Sequence, residues 1–298
     1  MLKKTNEPSK SKKHFLANTT KSFWSDSIES ILKNKLAMVC ILVIALFAVI
    51  SVIAPMICQY DYQTTDYLQA NKAPSGEHLF GTDILGRDMW VRIWKGVAVS
   101  LLIGILGAII PQIIGVIIGS ISGYIGGMVD LIFMNVVDMF VCVPSLVYIT
   151  LISIWLKPSI WSVIFAISIS SWMETARLVR GRVMQFKNRE FVLASIAQGA
   201  SGLRVIVKHV LPNIMGTVII SVFSAIPTAI FLEAYLSFIG LGASSTISLG
   251  QLCRSGVSMY RLYPYQLFIP GVIISLLILA FYVLGNCLND AFDVRLRK

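Results

Sequence analysis

Six long apolar runs constrain this chain more than any other feature: approximately residues 36–57, 100–124, 131–156, 159–176, 213–241 and 266–288. A hydrocarbon core about 30 Å thick needs roughly 20 such residues in helical form, because an unpaired backbone amide cannot be hydrated there. The sequence therefore predicts an all-α, polytopic membrane protein with six transmembrane helices. Hydrophobic residue types make up 56% of the chain and charged types 13%. That is too little polar surface for a soluble globule of this length. The first run is too long for a cleaved secretory segment and holds Pro55 near its end, so it is expected to remain as an anchor.

The net charge of +10 gathers between the apolar runs instead of covering one face, which favours membrane topology over nucleic-acid binding. Three basic blocks stand out: the tail with Lys3, Lys4, Lys10, Lys12 and Lys13, the segment carrying Arg180, Arg182, Lys187, Arg189 and Arg204, and the end with Arg295, Arg297 and Lys298. An even number of crossings puts all three on the cytoplasmic side, with both termini. Residues 1–35 then form a basic tail and an interfacial amphipathic helix, with Trp24, Ile28, Ile31 and Leu32 at helical spacing. Residues 36–298 form one six-helix transmembrane domain, with an external loop at 58–99 and a cytoplasmic loop at 177–212.

The cytoplasmic loop reads as helix, turn, helix, then membrane. Gly199 stands where a helix would stop, Ser201 can cap the next one, and Pro212 precedes the fifth run. A basic, partly apolar helical pair of this kind suits a groove on a soluble partner and can pass rigid-body motion to the adjoining spans; a solvated re-entry loop is the plainer alternative. In the external loop, Gly81, Thr82, Asp83, Gly86, Arg87 and Asp88 combine turn residues with charge pairs. They suit a lid, a docking point for an external protein, or a brace against the other spans.

Within the second run, Ser100, Gly104 and Ala108, then Gly115, Gly119 and Gly123, recur every four residues and permit close helix approach, either within the chain or to a partner. Asp138 and Glu233 are ionisable groups inside spans, each read as a pathway residue or an intramembrane pair, and Glu174 is near enough to Arg177 to pair locally. Pro111, Pro144 and Pro227 fall inside spans two, three and five, where static bends are expected. Five separated cysteines and three isolated histidines offer no local metal or redox site. Cys58 and Cys253 both fall near the outer face, where a disulfide is permitted but not argued for.

Beyond these readings, Ala194, Gly199, Leu211 and Pro212 resemble the EAA loop of ABC importer permeases. The expected coupling residues are Glu190, Phe191, Leu193, Ala194, Ser195, Gly199, Ala200, Leu211 and Pro212. Leu193 stands where that family usually has Glu, Ser195 where it has a second Ala, and His209 where it often has Ile. FGTDILGRD at 80–88, GSISGYIGG at 119–127 and EAYLSFIGLG at 233–242 are similar to the C-type permeases of oligopeptide and dipeptide importers, although Leu249 replaces a common Trp.

The resemblance implies a type I importer permease fold in the cytoplasmic membrane and a heterodimer with a related B-type permease. It also implies two cytoplasmic ATPase subunits and an external peptide-binding protein. It implies no bound cofactor or metal in this chain and no enzymatic activity, ATP and Mg being used by the ATPase subunits. Independently, the sequence has no GxxxxGK[ST] phosphate loop, so energy for uphill transport comes from another chain or an ion gradient. Nickel or another small solute is an alternative cargo. An ion-coupled carrier is a weaker alternative, because Asp138 alone makes a thin relay, and no span holds a histidine to support an intramembrane enzyme.

Overall fold

In a computed structural model, residues 23–243 and 246–292 are described, and they form helices whose ends follow local chemistry. Helix α1 spans Phe23–Lys33. The Asn34 side chain then accepts hydrogen bonds from the amides of Leu36 and Ala37 and opens α2, Lys35–Ile57. Asp88 does the same for α3, Met89–Ile125, through the Val91 amide. Gly126 and Gly127 turn the chain into α4, Gly127–Val141, which is followed by α5, Ser145–Trp155. Ser159 and Ser162 cap each other's backbone amides to start α6, Ile160–Lys187. Two short helices, α7 (Glu190–Ala197) and α8 (Gly202–Val205), and a π-helical turn (Ile206–Val210) lead into α9, Leu211–Ile239. α10, Leu249–Val257, and α11, Tyr265–Phe292, complete the order. The basic residues of the N-terminal tail, Arg295, Arg297, Lys298 and the Trp24 side chain lie outside the described residues.

Among the described residues, four helical stretches are long and apolar enough to cross a bilayer: α2, α3, the run Gly202–Ile239, and α11. A fifth crossing arises if α4 and α5 count as one, although they meet at a bend of 86°. The bend expected at Pro144 within the run 131–156 is therefore present but sharper, dividing the run into two helices. Pro144 has no amide to donate and disfavours helical geometry at Val143, so it starts a new helix and not a gentle kink. Pro111 and Pro227, by contrast, sit inside continuous helices.

The stretch predicted as a fourth span, 159–176, is helical but falls short of that apolar criterion: α6 carries serines, Glu174 and several basic residues. It also continues to Lys187, because nothing breaks the helix before Asn188. The cytoplasmic loop expected from residue 177 therefore begins with about three turns of helix. Likewise the external loop, expected to reach residue 99, ends at Asp88, because that carboxylate caps α3 eleven residues earlier than the apolar run suggests.

α3 and α6 form the most extensive helix pair. The glycine ladder explains it: Gly115 lies against Thr175 and the Trp172 carbonyl, Gly119 against the Ala176 carbonyl, and Gly123 against the Arg180 carbonyl. Gly104 lies against Ile230 of α9. The small-residue face therefore packs within the chain. One buried cluster joins α3, α9, α10 and α11 through Ile93, Val97, Ile230, Leu249 and Leu277. A second joins α3, α5, α6 and α9 around Ile103, Ile149 and Ile167. A third roots the short helices α7 and α8 on α6 and α9. α1 packs on the α2–α11 seam through Ile31, while Ile28 and Leu32 remain exposed.

A Cβ added at Gly119 would stand 2.5 Å from the Ala176 carbonyl oxygen, which belongs to rigid helix backbone. Gly119→Val is expected to separate α3 from α6 at a cost of about 1–3 kcal/mol. Thermal unfolding in detergent should show a lower midpoint for this variant than for Gly271→Ala, whose added Cβ meets nothing within 4 Å. Equal midpoints would show that the two backbones do not depend on this contact.

Candidate functional site

The segment that follows α6 is a built turn and not a loose loop. Gly199, at φ +83°, follows α7, and its amide donates to Ile196 while the Ala200 amide donates to Ser195. Those two bonds make a Schellman close, which needs a left-handed residue at Gly199. Ser201 sits before α8 but makes no side-chain capping bond, so the expected cap is absent. The π-turn at Ile206–Val210 then delivers the chain to Leu211 and Pro212. A π-turn shifts the hydrogen-bond register by one residue, just where Pro212 removes an amide from the ladder.

Val192, Val205 and Val210 are fully buried with Val179 and Val183 of α6 and Ile214 of α9. Leu211 packs at the edge of this cluster. Lys187 donates to the Tyr124 carbonyl at 2.6 Å and lies over the Tyr124 ring, joining the foot of α6 to the foot of α3. Against this anchored side, Phe191, Leu193, Ile196, Leu203 and Val207 stay exposed. Beside them runs a groove of about 460 Å³ bordered by Phe191, Ala194, Ser195, Arg204, Lys208 and His209. Glu190 occupies the first turn of α7, where a carboxylate favours the helix dipole.

At the other face, Asp83 organises the loop. Its carboxylate accepts from the amides of Leu85 and Arg87 and from Arg87 Nε at 2.7 Å. Gly81 and Gly86 hold positive φ on either side of it. Thr82 is buried, accepts from the Lys72 amide, and offers its carbonyl to Tyr265 and Gln266 of α11. Asp88 serves twice, capping α3 and meeting His78 Nδ1 at 2.8 Å, while His78 Nε2 faces Gln69 Oε1 at 2.6 Å. Sequence reasoning missed His78: it set the residue aside as isolated, and nothing in the local spacing marks a partner ten residues on.

The intramembrane groups resolve differently. Asp138 pairs with Arg177 of α6, both side chains partly exposed, so the expected Glu174–Arg177 pair is replaced by an interhelical one. Asp130, not singled out from the sequence, takes Arg180 at two nitrogens and the Ser122 hydroxyl, tying α4 to α6 and α3. Glu233 is almost fully buried, accepting from Ser100 at 2.8 Å and Ser237 at 2.7 Å, and Ser248 in turn donates to Ser237. It joins α9 to α3 and to the entry of α10. Cys58 and Cys253 are free thiols, and burial, with Glu233 nearby, pushes the Cys253 thiol up to about 11.

Comparison with known proteins places this geometry. Residues 115–298 match the family described as binding-protein-dependent transport system inner membrane component, and residues 22–74 match the N-terminal TM domain of oligopeptide transport permease C. The oligopeptide transport system permease protein OppC of Bacillus subtilis is 42% identical over 93% of this chain and 91% of its own length. The dipeptide transport system permease protein DppC of the same organism is 37% identical over 93% of this chain and 87% of its own. OppC of Escherichia coli is 34% identical over 92% and 91%. With more than half its length covered by one family and relatives above 30% identity along nearly all of it, this chain belongs to the inner-membrane components of binding-protein-dependent transport systems.

Proposed function

We propose that this chain is one half of the transmembrane gate of an ATP-driven importer of oligopeptides or dipeptides, working as a heterodimer with a related B-type permease. The observation that carries the reading is the cytoplasmic elbow: exposed Phe191, Leu193 and Ile196 stand on a short helix whose opposite side is locked by Val192 to α6 and α9. A helix held this way can receive a push from a soluble ATPase subunit and hand it to two long helices as rigid-body motion. ATP and Mg would belong to two such ATPase subunits. An external binding protein would supply peptide at the face carrying the Asp83 loop. The peptide assignment draws on the printed names of the relatives.

In this reading α2, α3, the bent α4–α5 pair, α6, α9 and α11 make six crossings. α6 crosses with part of its polar side chains covered by protein, Ser162, Ser168 and Thr175 being buried. Arg180, Arg182, Arg189 and Arg204 lie cytoplasmically, as the bias of basic residues requires, and both termini share that side. The helix Phe23–Lys33 lies along the inner surface, and the permease domain follows from residue 36. Asp138 and Glu233 act here as structural partners of Arg177 and Ser100, not as pathway groups.

The coupling role is tested at Gly199. A β-branched side chain is disfavoured at φ +83°, while the space around the position is open, so Gly199→Val strains the turn without a clash. The variant is expected to reach the membrane at normal abundance yet retain less ATPase on purification, and to take up labelled peptide several-fold more slowly in ATP-loaded vesicles. Uptake and ATPase retention equal to the parent protein would remove the elbow from the mechanism.

Orientation has its own check. With the native cysteines replaced, a single cysteine at Gly76 should react with an impermeant maleimide added outside intact cells, and one at Gln198 should react only after the membrane is opened. The reverse pattern would place the elbow on the wrong side for any cytoplasmic motor.

A further inference from the structure

On the outer face, a polar cavity of about 260 Å³ lies between the start of the external loop, the first turn of α3 and the entry of α10. Three of the side-chain atoms bordering it, Arg92 Nε, Thr246 Oγ1 and Gln251 Oε1, are buried and find no hydrogen-bond partner among the described residues. Left unmet, such atoms are costly, most of all on a charged group.

Arg92 is the centre of the problem. Its side chain is only 6% exposed. Nη1 donates to the Tyr62 carbonyl at 2.9 Å, but Nε stands 3.6 Å from Asp83, beyond hydrogen-bond reach. Asp83 already accepts from two amides and from Arg87. Two guanidinium groups therefore share one carboxylate that is already committed. At the rim, the Lys95 ammonium over the Tyr62 ring and the Asp61 carboxylate at the Gln63 amide offset one another. The cavity keeps one uncompensated positive charge, which a single carboxylate between Arg87 and Arg92 would answer.

The orphan on Gln251 asks for something else. Oε1 is an acceptor, so it calls for an N–H donor, and Thr246 can give or take. A carboxylate with a neighbouring N–H meets all three demands together. That pairing occurs at the C-terminal end of a peptide chain, where the last amide adjoins the terminal carboxylate. We propose that this cavity is a subsite on the permease itself for the C-terminal carboxylate and adjoining amide N–H of a peptide. The choice of a peptide end rests on the peptide-import reading above.

The test uses the assembled importer in lipid nanodiscs without the external binding protein, with ligand-observed NMR of N-acetylglycine, N-acetylglycinamide and acetate. N-acetylglycine should bind saturably, and the other two about tenfold more weakly or worse, because each lacks one of the two required groups. Arg92→Gln should abolish binding. Gln251→Leu, which removes a side-chain oxygen that has no protein partner, should leave the fold intact and bring N-acetylglycine down to the level of acetate. Equal binding of acid and amide, acetate as tight as N-acetylglycine, an unaltered Gln251→Leu variant, or no binding at all, as for a cavity holding water only, would each overturn the assignment. A parent importer that moves no peptide but shows this discrimination would refute the import reading and leave the carboxylate subsite standing.

Discussion

The close approach of α3 and α6 is the contact on which the rest of the architecture depends. Three glycines four residues apart let the α3 backbone lie against the carbonyls of Trp172, Ala176 and Arg180. Side chains of ordinary size would hold the axes about 8–10 Å apart and leave those carbonyls facing a gap. Once the two helices are in register, Arg180 comes within reach of Asp130 and Arg177 within reach of Asp138, so α4 is tied to the same rod. Val179 and Val183 then present the apolar floor on which α7 and the π-turn settle. The elbow is thus a consequence of helix packing and not a separate attachment.

α3 links the two faces. At 37 residues it runs about 55 Å, longer than the hydrocarbon core requires, and both of its ends are fixed. Asp88 caps its N-terminal end while also holding His78, and Tyr124 near its C-terminal end receives Lys187 and lies against Gly202. Between them, Ser100 donates to the buried Glu233, binding α3 to α9 where the segment leading into α10 folds back through Ser248. Since α9 begins at the elbow and ends at this junction, the elbow and the Ser248 junction are joined through two helices with shared polar anchors. Each anchor is hydrogen-bonded at its polar atoms, which is what makes a carboxylate tolerable in so apolar a setting.

Much of this was legible in the sequence because it depends on period and punctuation. Apolar run length gave α2, α9 and α11 to within a few residues, four-residue spacing gave the glycine face, and Gly199 marked the turn that the Schellman bonds confirm. What escaped was set by capping and by long-range pairing. Asp88 began α3 eleven residues before the apolar run, and Pro144 made two helices of one predicted span, because a single polar or cyclic side chain overrode a hydropathy average. His78, Asp130 and Arg92 acquired partners from other segments, which no local window can register. The run at 159–176 reads as a span although its serines lower its hydropathy, and two of them, Ser162 and Ser168, are buried in the protein.

The departures from the family's coupling motif also have a physical sense. Leu193 is half exposed on the outer side of α7, where the family usually has Glu, while the neighbouring Val192 supplies the buried anchor. Replacing a carboxylate at that place leaves the root of the elbow untouched and changes only the character of its free surface. With Phe191 and Ile196 beside it, the free surface becomes an apolar patch, and the polar and basic groups withdraw to the groove around Arg204, Lys208 and His209. Such a surface gains affinity from buried area at its centre and from charge at its edge. If the elbow docks on an ATPase subunit as proposed, the complementary surface would be an apolar hollow with an acidic border, and not the basic pocket that a Glu at position 193 would call for.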